Sequence, residues 1–393
     1  MSELPPLDAS VLPQGVRARF VRGINGLRVH VLEAGFDPPG RPCVLLLHGF
    51  PELAFSWRKV MPALAGAGFH VVAPDQRGYG RTTGWDAAYD ADIAPFRLLN
   101  LARDALGLVF ALGHRRVAAV VGHDFGSPVA AWCALVRPDV FRRVALMSAP
   151  FTGPPEVPFG EAPDAAPTQE DVHAALAGLD PPRKHYQWYF STRAANADMH
   201  HPPQGLHNFL RAYYHHKSGD WPGNQPFPLA AWSATELAKL PRYYVMHQDR
   251  TMPESVEMPS ADQIAACAWL PERELAVYAA EYARTGFQGG LNWYRCRTSG
   301  RDEAELALFS GRSIDVPARF IAGASDWGIQ QVPGALARMR DHACTRMADA
   351  HLIVGAGHWV QQERPAEVAA HLLDLLAEPD PGEAESPAGS FRT

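Results

Sequence analysis

The sequence predicts an α/β fold in which a mostly parallel central sheet carries helices on both faces and is interrupted by an inserted, mainly helical lid. Three observations lead there. Between residues 43 and 147 short unbroken runs of apolar and β-branched residues alternate with helical stretches, and this alternation gives a parallel sheet covered on both sides. Two more strand-like runs and one helix of the same texture arrive only after residue 317. The intervening stretch is dense in Tyr, Trp and His and broken by Pro-rich loops. The expected organisation is a first core half over 1–150, a lid over 151–304, a second core half over 305–377 and a polar, Pro/Gly-rich, disordered tail over 378–393.

The elements follow in order. Ala18 to Arg22 and Leu27 to Leu32 flank Asn25-Gly26, a pair that closes tight hairpins. Cys43 to Leu47 reads as a buried strand, Trp57 to Ala67 as a helix, and His70 to Ala73 as a strand. Leu98 to Leu112 reads as a helix, Val117 to Val121 as a strand, Ser127 to Val136 as a helix and Val144 to Met147 as a strand. After the lid, Ala318 to Ala322 and His351 to Val354 read as strands. Pro365 to Leu376 is a helix with Val368, Ala369, Leu372, Leu373 and Leu376 on its apolar face. Within the lid, helix starts are expected at Thr168-x-x-Asp171, Ser233-x-x-Glu236 and Ser260-x-x-Gln263, the capping-box pattern. The segment 219–279 is long, and three roles stay open for it: lengthening an access tunnel, covering the site, or forming a subunit contact that gives a homodimer.

Composition excludes several classes. With 393 residues, 47% of them hydrophobic, and a net charge of -6, the chain can bury a large core and offers no basic stripe for nucleic acid. No apolar run of about 18 residues suggests a membrane span. The start, MSELPPLDASVLPQG, lacks a basic region followed by an apolar stretch, so no secretory signal is expected. The five cysteines, Cys43, Cys133, Cys267, Cys296 and Cys344, are scattered without a Cys-x-x-Cys pair. They are expected to be reduced core residues of a cytoplasmic protein, with no metal or disulfide role. The pairs His200-His201 and His215-His216 lack an accompanying carboxylate at ligand spacing and are expected to be surface or hydrogen-bonded residues.

The chemistry centres on Gly122-His123-Asp124-Phe125-Gly126, which follows a predicted strand and precedes a predicted helix. Small residues on either side permit the sharp turn that lifts a nucleophile to the strand's carboxyl end. Here the nucleophile is an aspartate. A carboxylate in that place can attack an electrophilic carbon and become an ester of the enzyme. Ligands of such sheets bind beyond the strands' carboxyl ends, and three other strands end in informative residues. His48-Gly49-Phe50-Pro51-Glu52 offers the Phe50 N–H, which with the Phe125 N–H makes an oxyanion hole. Ser325-Asp326-Trp327 offers an acid and Gly357-His358-Trp359 a base, in the order nucleophile, acid, base. Asp75-Gln76-Arg77-Gly78-Tyr79-Gly80 reads as a structural turn.

At these motifs the chain resembles the α/β-hydrolase superfamily and, within it, the epoxide hydrolases, from about residue 17 to 376. The resemblance extends to two lid segments, His185-Tyr186-Gln187-Trp188-Tyr189-Phe190 and Leu291-Asn292-Trp293-Tyr294-Arg295. It implies that Tyr186 and Tyr294 donate to an epoxide oxygen, whereas Tyr189, Tyr213 and Tyr214 are expected to pack. The need is chemical: the leaving group of an epoxide is an alkoxide, and a phenol with an ordinary pKa near ~10 stays protonated to receive it. The resemblance implies a small lipophilic epoxide and water as substrates, no cofactor and no metal, with Asp124 alkylated and His358, oriented by Asp326, activating the water. Neighbouring motif residues His48, Pro51, Gln187, Trp327 and Trp359 are the expected substrate contacts. Two alternatives remain. A haloalkane or haloacid dehalogenase would use the same Asp-His-Asp set, but Phe125 stands where those families carry an aromatic N–H or an arginine. A non-catalytic ligand-binding protein of the same fold is the other.

Overall fold

The computed structural model describes residues 4–157 and 169–379. Thr168 and nearly all of the tail expected to be disordered, from residue 380 onward, lie outside the described residues. Among the described residues there are ten strands: β1 Val16–Ile24, β2 Leu27–Ala34, β3 Cys43–Leu47, β4 His70–Pro74, β5 Val117–His123, β6 Val144–Met147, β7 Arg183–His185, β8 Val245–His247, β9 Ala318–Gly323 and β10 Met347–Ile353. Eight of them form one sheet in the order β1-β2-β4-β3-β5-β6-β9-β10. Pairing is antiparallel for β1 with β2 and for β2 with β4, and parallel from β4 onward. The hairpin closes where expected, with Ile24 opposite Leu27 and both Asn25 and Gly26 at positive φ, the backbone a two-residue turn of this hand requires. Chain direction across the sheet reverses around β3, so the carboxyl ends of β3 and β5 flank the crevice where such sheets hold ligands.

The helices of the core are α1 Met61–Gly66, α2 Leu98–Ala111 and α3 Gly126–Val136. Expectation and structure part at α1. Trp57 sits in a separate 3-10 turn, Ala54–Trp57, and the α-helix starts only at Met61. Pro62 explains this: it lacks an N–H to bond the carbonyl four residues back and is tolerated only in a first turn. Adjacent residues of β3 serve opposite faces. Cys43, Leu45 and Leu47 join the core beneath α2 and α3, while Val44 and Leu46 join the one shared with Trp57, Leu64 and Leu372, as the twofold alternation of a strand dictates. The five cysteines are buried and free. β10 begins four residues before the expected His351 and ends at Ile353, leaving Val354 82% exposed.

Between β6 and β9 the chain is mainly helical: α4 Gln169–Ala177, α5 Tyr186–Phe190, α6 Ala194–His200, α7 Leu206–Lys217, α8 Ala234–Leu237, α9 Ala261–Ala266, α10 Glu272–Thr285, α11 Gln288–Thr298 and α12 Glu303–Leu306. α9 carries a complete capping box between Ser260 and Gln263. At α8 Ser233 accepts from the Glu236 N–H, but the Glu236 carboxylate turns to the Ala230 N–H instead. The two-stranded sheet β7-β8 was not expected from sequence. Segment 219–279 packs back on the core, where Lys59 donates to the Trp269 carbonyl and Arg58 pairs with Glu274 just beyond it. The second core half ends with α13 Ala335–Arg338, α14 Val360–Glu363 and α15 Pro365–Ala377. Glu378, the first residue of the expected tail, is tied down by Arg319 at 3.1 Å. Among the described residues no helix is long and apolar enough to cross a membrane.

Candidate active site

Asp124 stands at the top of β5 with φ at +50°, a left-handed backbone that non-glycine residues adopt at a cost of about 1–3 kcal/mol and that clusters at functional sites. The turn is possible because the next loop lies against it without side chains: a Cβ on Gly126 would come within 2.4 Å of the Leu47 carbonyl oxygen. Asp124 Oδ1 accepts the Phe50 N–H at 2.9 Å, and Oδ2 lies 3.2 Å from His358 Nε2. His358 Nδ1 faces both oxygens of Asp326, at 3.1 and 3.2 Å. Asp326 in turn caps a 3-10 turn by accepting the Gly328 N–H at 2.7 Å. The loops after β3, β5, β9 and β10 therefore meet at one point of the sheet edge.

Burial alone would push the Asp124 carboxyl up, but the hydrogen bond and charge of His358, with Lys217 farther away, hold it well below the usual carboxylate range. Asp326 is likewise lowered: burial opposes, and the charge and hydrogen bond of His358 prevail. For His358, burial and the Lys217 ammonium work against its proton, yet Asp326 and Asp124 raise it above the ordinary imidazole value. The His358 main chain is also fixed: its N–H donates to the Lys217 carbonyl at 2.7 Å, and its carbonyl accepts from His123 Nε2 at 2.7 Å. His123 is paired in turn with the fully buried Glu52 at 2.5 Å.

Above this edge stand the two tyrosines, their rings 5.8 Å apart. Tyr186 is placed by the unexpected small sheet, its N–H donating to the Tyr244 carbonyl at 2.8 Å beside β8. Tyr294 is caged edge-on by Phe50, Phe125 and Phe190. α11 comes this close because Gly289 meets Gly78 backbone to backbone, where a Cβ would lie 1.9 Å from the Gly78 oxygen. Burial, then nearby negative charge, raises the phenol of Tyr186, and burial raises that of Tyr294 still more plainly, so both stay protonated donors. Tyr189 and Tyr214 spend their hydroxyls on Asp198 and the Pro51 carbonyl, and Tyr213 is buried, in line with packing roles.

A cavity of about 510 Å³ opens over these groups, lined by Asp124, Phe125, Tyr186, Gln187 and Tyr294 among aromatic and aliphatic walls such as Trp132 and Phe151, a size and lining suited to a small apolar ligand. Of segment 219–279 only Trp232 reaches it. Of the expected substrate contacts Gln187 borders the cavity, whereas His48, Pro51, Trp327 and Trp359 do not line it. The reasons are local. His48 is fully buried with Nδ1 on the Gly49 carbonyl and Nε2 accepting from the Gln76 N–H, Pro51 follows a cis bond beneath Tyr214, and Trp359 donates to the Tyr214 carbonyl. Trp327 packs against Phe227. The turn at Asp75 is scaffold, as expected: Asp75 binds His30 and the N–H groups of Ala54 and Arg81.

Sequence reading passed over Lys217. It lies beside His215 and His216, both buried, with His216 hydrogen-bonded through Nδ1 to the Ala212 carbonyl at 3.1 Å; Lys217 is 3% exposed, its ammonium 5.0 to 5.4 Å from the rings of Tyr213, Tyr244 and Trp359. Only its place at the end of a helix with aromatic residues three and four positions earlier offered a signal.

The family model for the alpha/beta hydrolase fold matches residues 42–365. The chain is 37% identical over 360 residues to Epoxide hydrolase A of Mycobacterium tuberculosis, covering 90% of this chain and 95% of that protein. It is 35% identical over 365 residues to Epoxide hydrolase B of the same organism, covering 90% and 96%. Among solved structures it is similar to an epoxide hydrolase from an endophytic Streptomyces, with a TM-score of 0.71 and 32% identity over 93% of this chain and 96% of the other. Epoxide Hydrolase A from Mycobacterium thermoresistibile gives a TM-score of 0.71 at 34% identity, covering 92% and 98%.

Proposed function

The chain belongs to the epoxide hydrolases of the α/β-hydrolase fold, enzymes that add water to an epoxide to give a vicinal diol, and from that premise we propose how its own residues do so. Oδ2 of Asp124 attacks an epoxide carbon while Tyr186 and Tyr294 hold the oxygen; the C–O bond breaks, the oxygen takes a tyrosine proton, and a hydroxyalkyl ester of Asp124 forms. Esterification removes the charge facing His358, which frees Nε2 to take a proton from water. That water attacks Cγ of Asp124, and the oxyanion forms on Oδ1, which already accepts the Phe50 N–H at 2.9 Å; the Phe125 N–H is its second donor. Collapse breaks the Cγ–O bond to the diol, which leaves with the proton from His358, and the proton left on the carboxyl restores the tyrosine.

The observation that carries this reading is the division of labour on Asp124: one oxygen already sits on a backbone donor, and the other faces the base. The lid, which we place at 151–304, brings the neutral donors, and the aromatic cavity favours a small lipophilic epoxide. Phe125, whose ring has no N–H, gives a departing halide no side-chain donor directly after the nucleophile.

The test is isotopic. In a single turnover with styrene oxide in ¹⁸O-water, the label is expected in the Asp124 carboxylate and not in the diol, because the diol's new oxygen comes from Asp124. Label appearing first in the diol would mean direct attack of water on the epoxide and would overturn the ester route.

A further inference from the structure

We propose that Cys43, His70 and His114 form a binding site for one borderline divalent cation such as Zn²⁺, at the end of the sheet opposite the epoxide site. The three come from separate stretches of chain, and their sulfur and nitrogen donor atoms all lie within 4.8 Å of one another. A thiolate with two imidazoles is a donor set that Zn²⁺ and Co²⁺ favour.

The backbone fixes each ligand. Cys43 and His70 are register partners at the starts of the parallel strands β3 and β4, and the His70 N–H donates to the Pro42 carbonyl at 2.9 Å. His114 is the residue after the left-handed Gly113 that ends α2. The His114 N–H bonds the Val109 carbonyl and the Gly113 N–H bonds the Phe110 carbonyl, the paired closure that pins a helix C-terminus. None of these positions depends on a long, freely rotating side chain.

The electrostatics suit a cation. His70 Nδ1 and His114 Nε2 face each other at 2.7 Å, so a proton bridges them in the metal-free protein. In a tetrahedral site two nitrogens stand about 3.3 Å apart, so the rings part by a few tenths of an ångström when the cation replaces that proton. Both rings are only partly buried and have room to move. The other nitrogen of His70, Nε2, is buried without a hydrogen bond, 3.4 Å from Glu33 Oε1. Metal-binding histidines commonly turn their second N–H to a carboxylate, which fixes the tautomer and raises ligand basicity. Glu33 is held in place by Arg19, which donates to both of its oxygens at 2.6 and 2.7 Å. The Cys43 thiol, pushed up to about 12 by burial and by Glu33, would release its proton to solvent on binding, and water completes the fourth position.

The experiment titrates metal-stripped full-length protein with Co²⁺ alone. The expected result is a thiolate-to-cobalt charge-transfer band that saturates at one equivalent, is displaced by Zn²⁺, disappears in Cys43→Ser, and in His114→Ala needs about tenfold more Co²⁺ or beyond. Zn²⁺ is also expected to raise the thermal midpoint of the native protein and not that of His114→Ala, while diol formation is unchanged in that variant. His114 is only partly buried and lies in a loop, so its variant decides the matter even where Cys43→Ser fails to fold. Absence of the band at saturating Co²⁺, or a band with unchanged affinity in His114→Ala, overturns the proposal.

Discussion

The two halves of the active site are built on opposite plans. At the sheet edge the charged groups are fixed by hydrogen bonds on every side: Asp124 by Phe50 and His358, His358 by Asp326, Lys217 and His123, and Asp326 by Gly328. In the lid the tyrosines are fixed mainly by ring packing: the Tyr186 hydroxyl accepts a hydrogen bond from Gln187 at 3.2 Å, and among the described residues the Tyr294 hydroxyl makes no hydrogen bond to the protein. The difference follows from charge. A buried carboxylate or imidazolium without partners is costly, so strands with fixed register must supply them. A neutral phenol needs only shape around its ring and can keep its O–H for the ligand.

If the sheet edge handles the ester and the lid handles the epoxide oxygen, variants of the two halves stall at different steps. His358→Gln carries the largest expected effect: turnover falls about 10³-fold or more, and the Asp124 ester accumulates and is visible by intact-protein mass spectrometry. Lid variants should do the reverse. Tyr186→Phe and Tyr294→Phe are each expected to slow alkylation by about 10²-fold, the usual cost of one lost donor, with the double variant losing clearly more. Single-turnover kinetics checks this: ester formation slows, ester breakdown hardly changes, and no adduct builds up. Adduct accumulation in a tyrosine variant would erase the distinction between the halves.

The same contrast governs what was legible in the sequence. β3, β5, β6 and β9 announce themselves because strands buried on both faces are unbroken apolar runs, and the residues directly after β3, β5, β9 and β10 had to meet once the sheet was parallel. Tyr186 and Tyr294 were legible only through motif resemblance. Their placement depends on β7 and β8, three residues each and too short for any periodicity to show, and on the contact of Gly289 with Gly78. The Glu52–His123 pair and Lys217 were hidden for another reason: their partners are distant in the chain, and a charged residue in sequence looks solvated until its burial is known. At α1, apolar spacing suggested a longer helix, and the missing N–H of Pro62 decided otherwise.

Lys217 permits a finer test of the sheet-edge half. Its ammonium works against the proton on His358, whereas Asp326 and Asp124 favour it. Lys217→Met is therefore expected to raise the His358 pKa, so that the acid limb of kcat/KM moves to higher pH while the plateau at alkaline pH is kept. Esterification removes the Asp124 contribution, so in the native enzyme the acid limb of kcat, where ester breakdown limits turnover, should lie below that of kcat/KM. A Lys217→Met profile shifted to lower pH would contradict the assignment of His358 as the group observed.

The smallest expected effect belongs to the lid's own stability. In α9, Ser260 accepts the Gln263 N–H at 3.2 Å while Gln263 accepts the Ser260 N–H at 2.8 Å, and none of the residues of that helix lines the cavity. Ser260→Ala should cost about 1 kcal/mol of stability, read as a lowered denaturation midpoint, with alkylation and ester breakdown both unchanged. The tyrosines answer to packing around α5 and α11, so a change that loosens only the end of α9 has no route to them. A slowed alkylation step in Ser260→Ala would mean that segment 219–279 helps to hold the tyrosines, and the lid half would then depend on its hydrogen bonds as the sheet edge does.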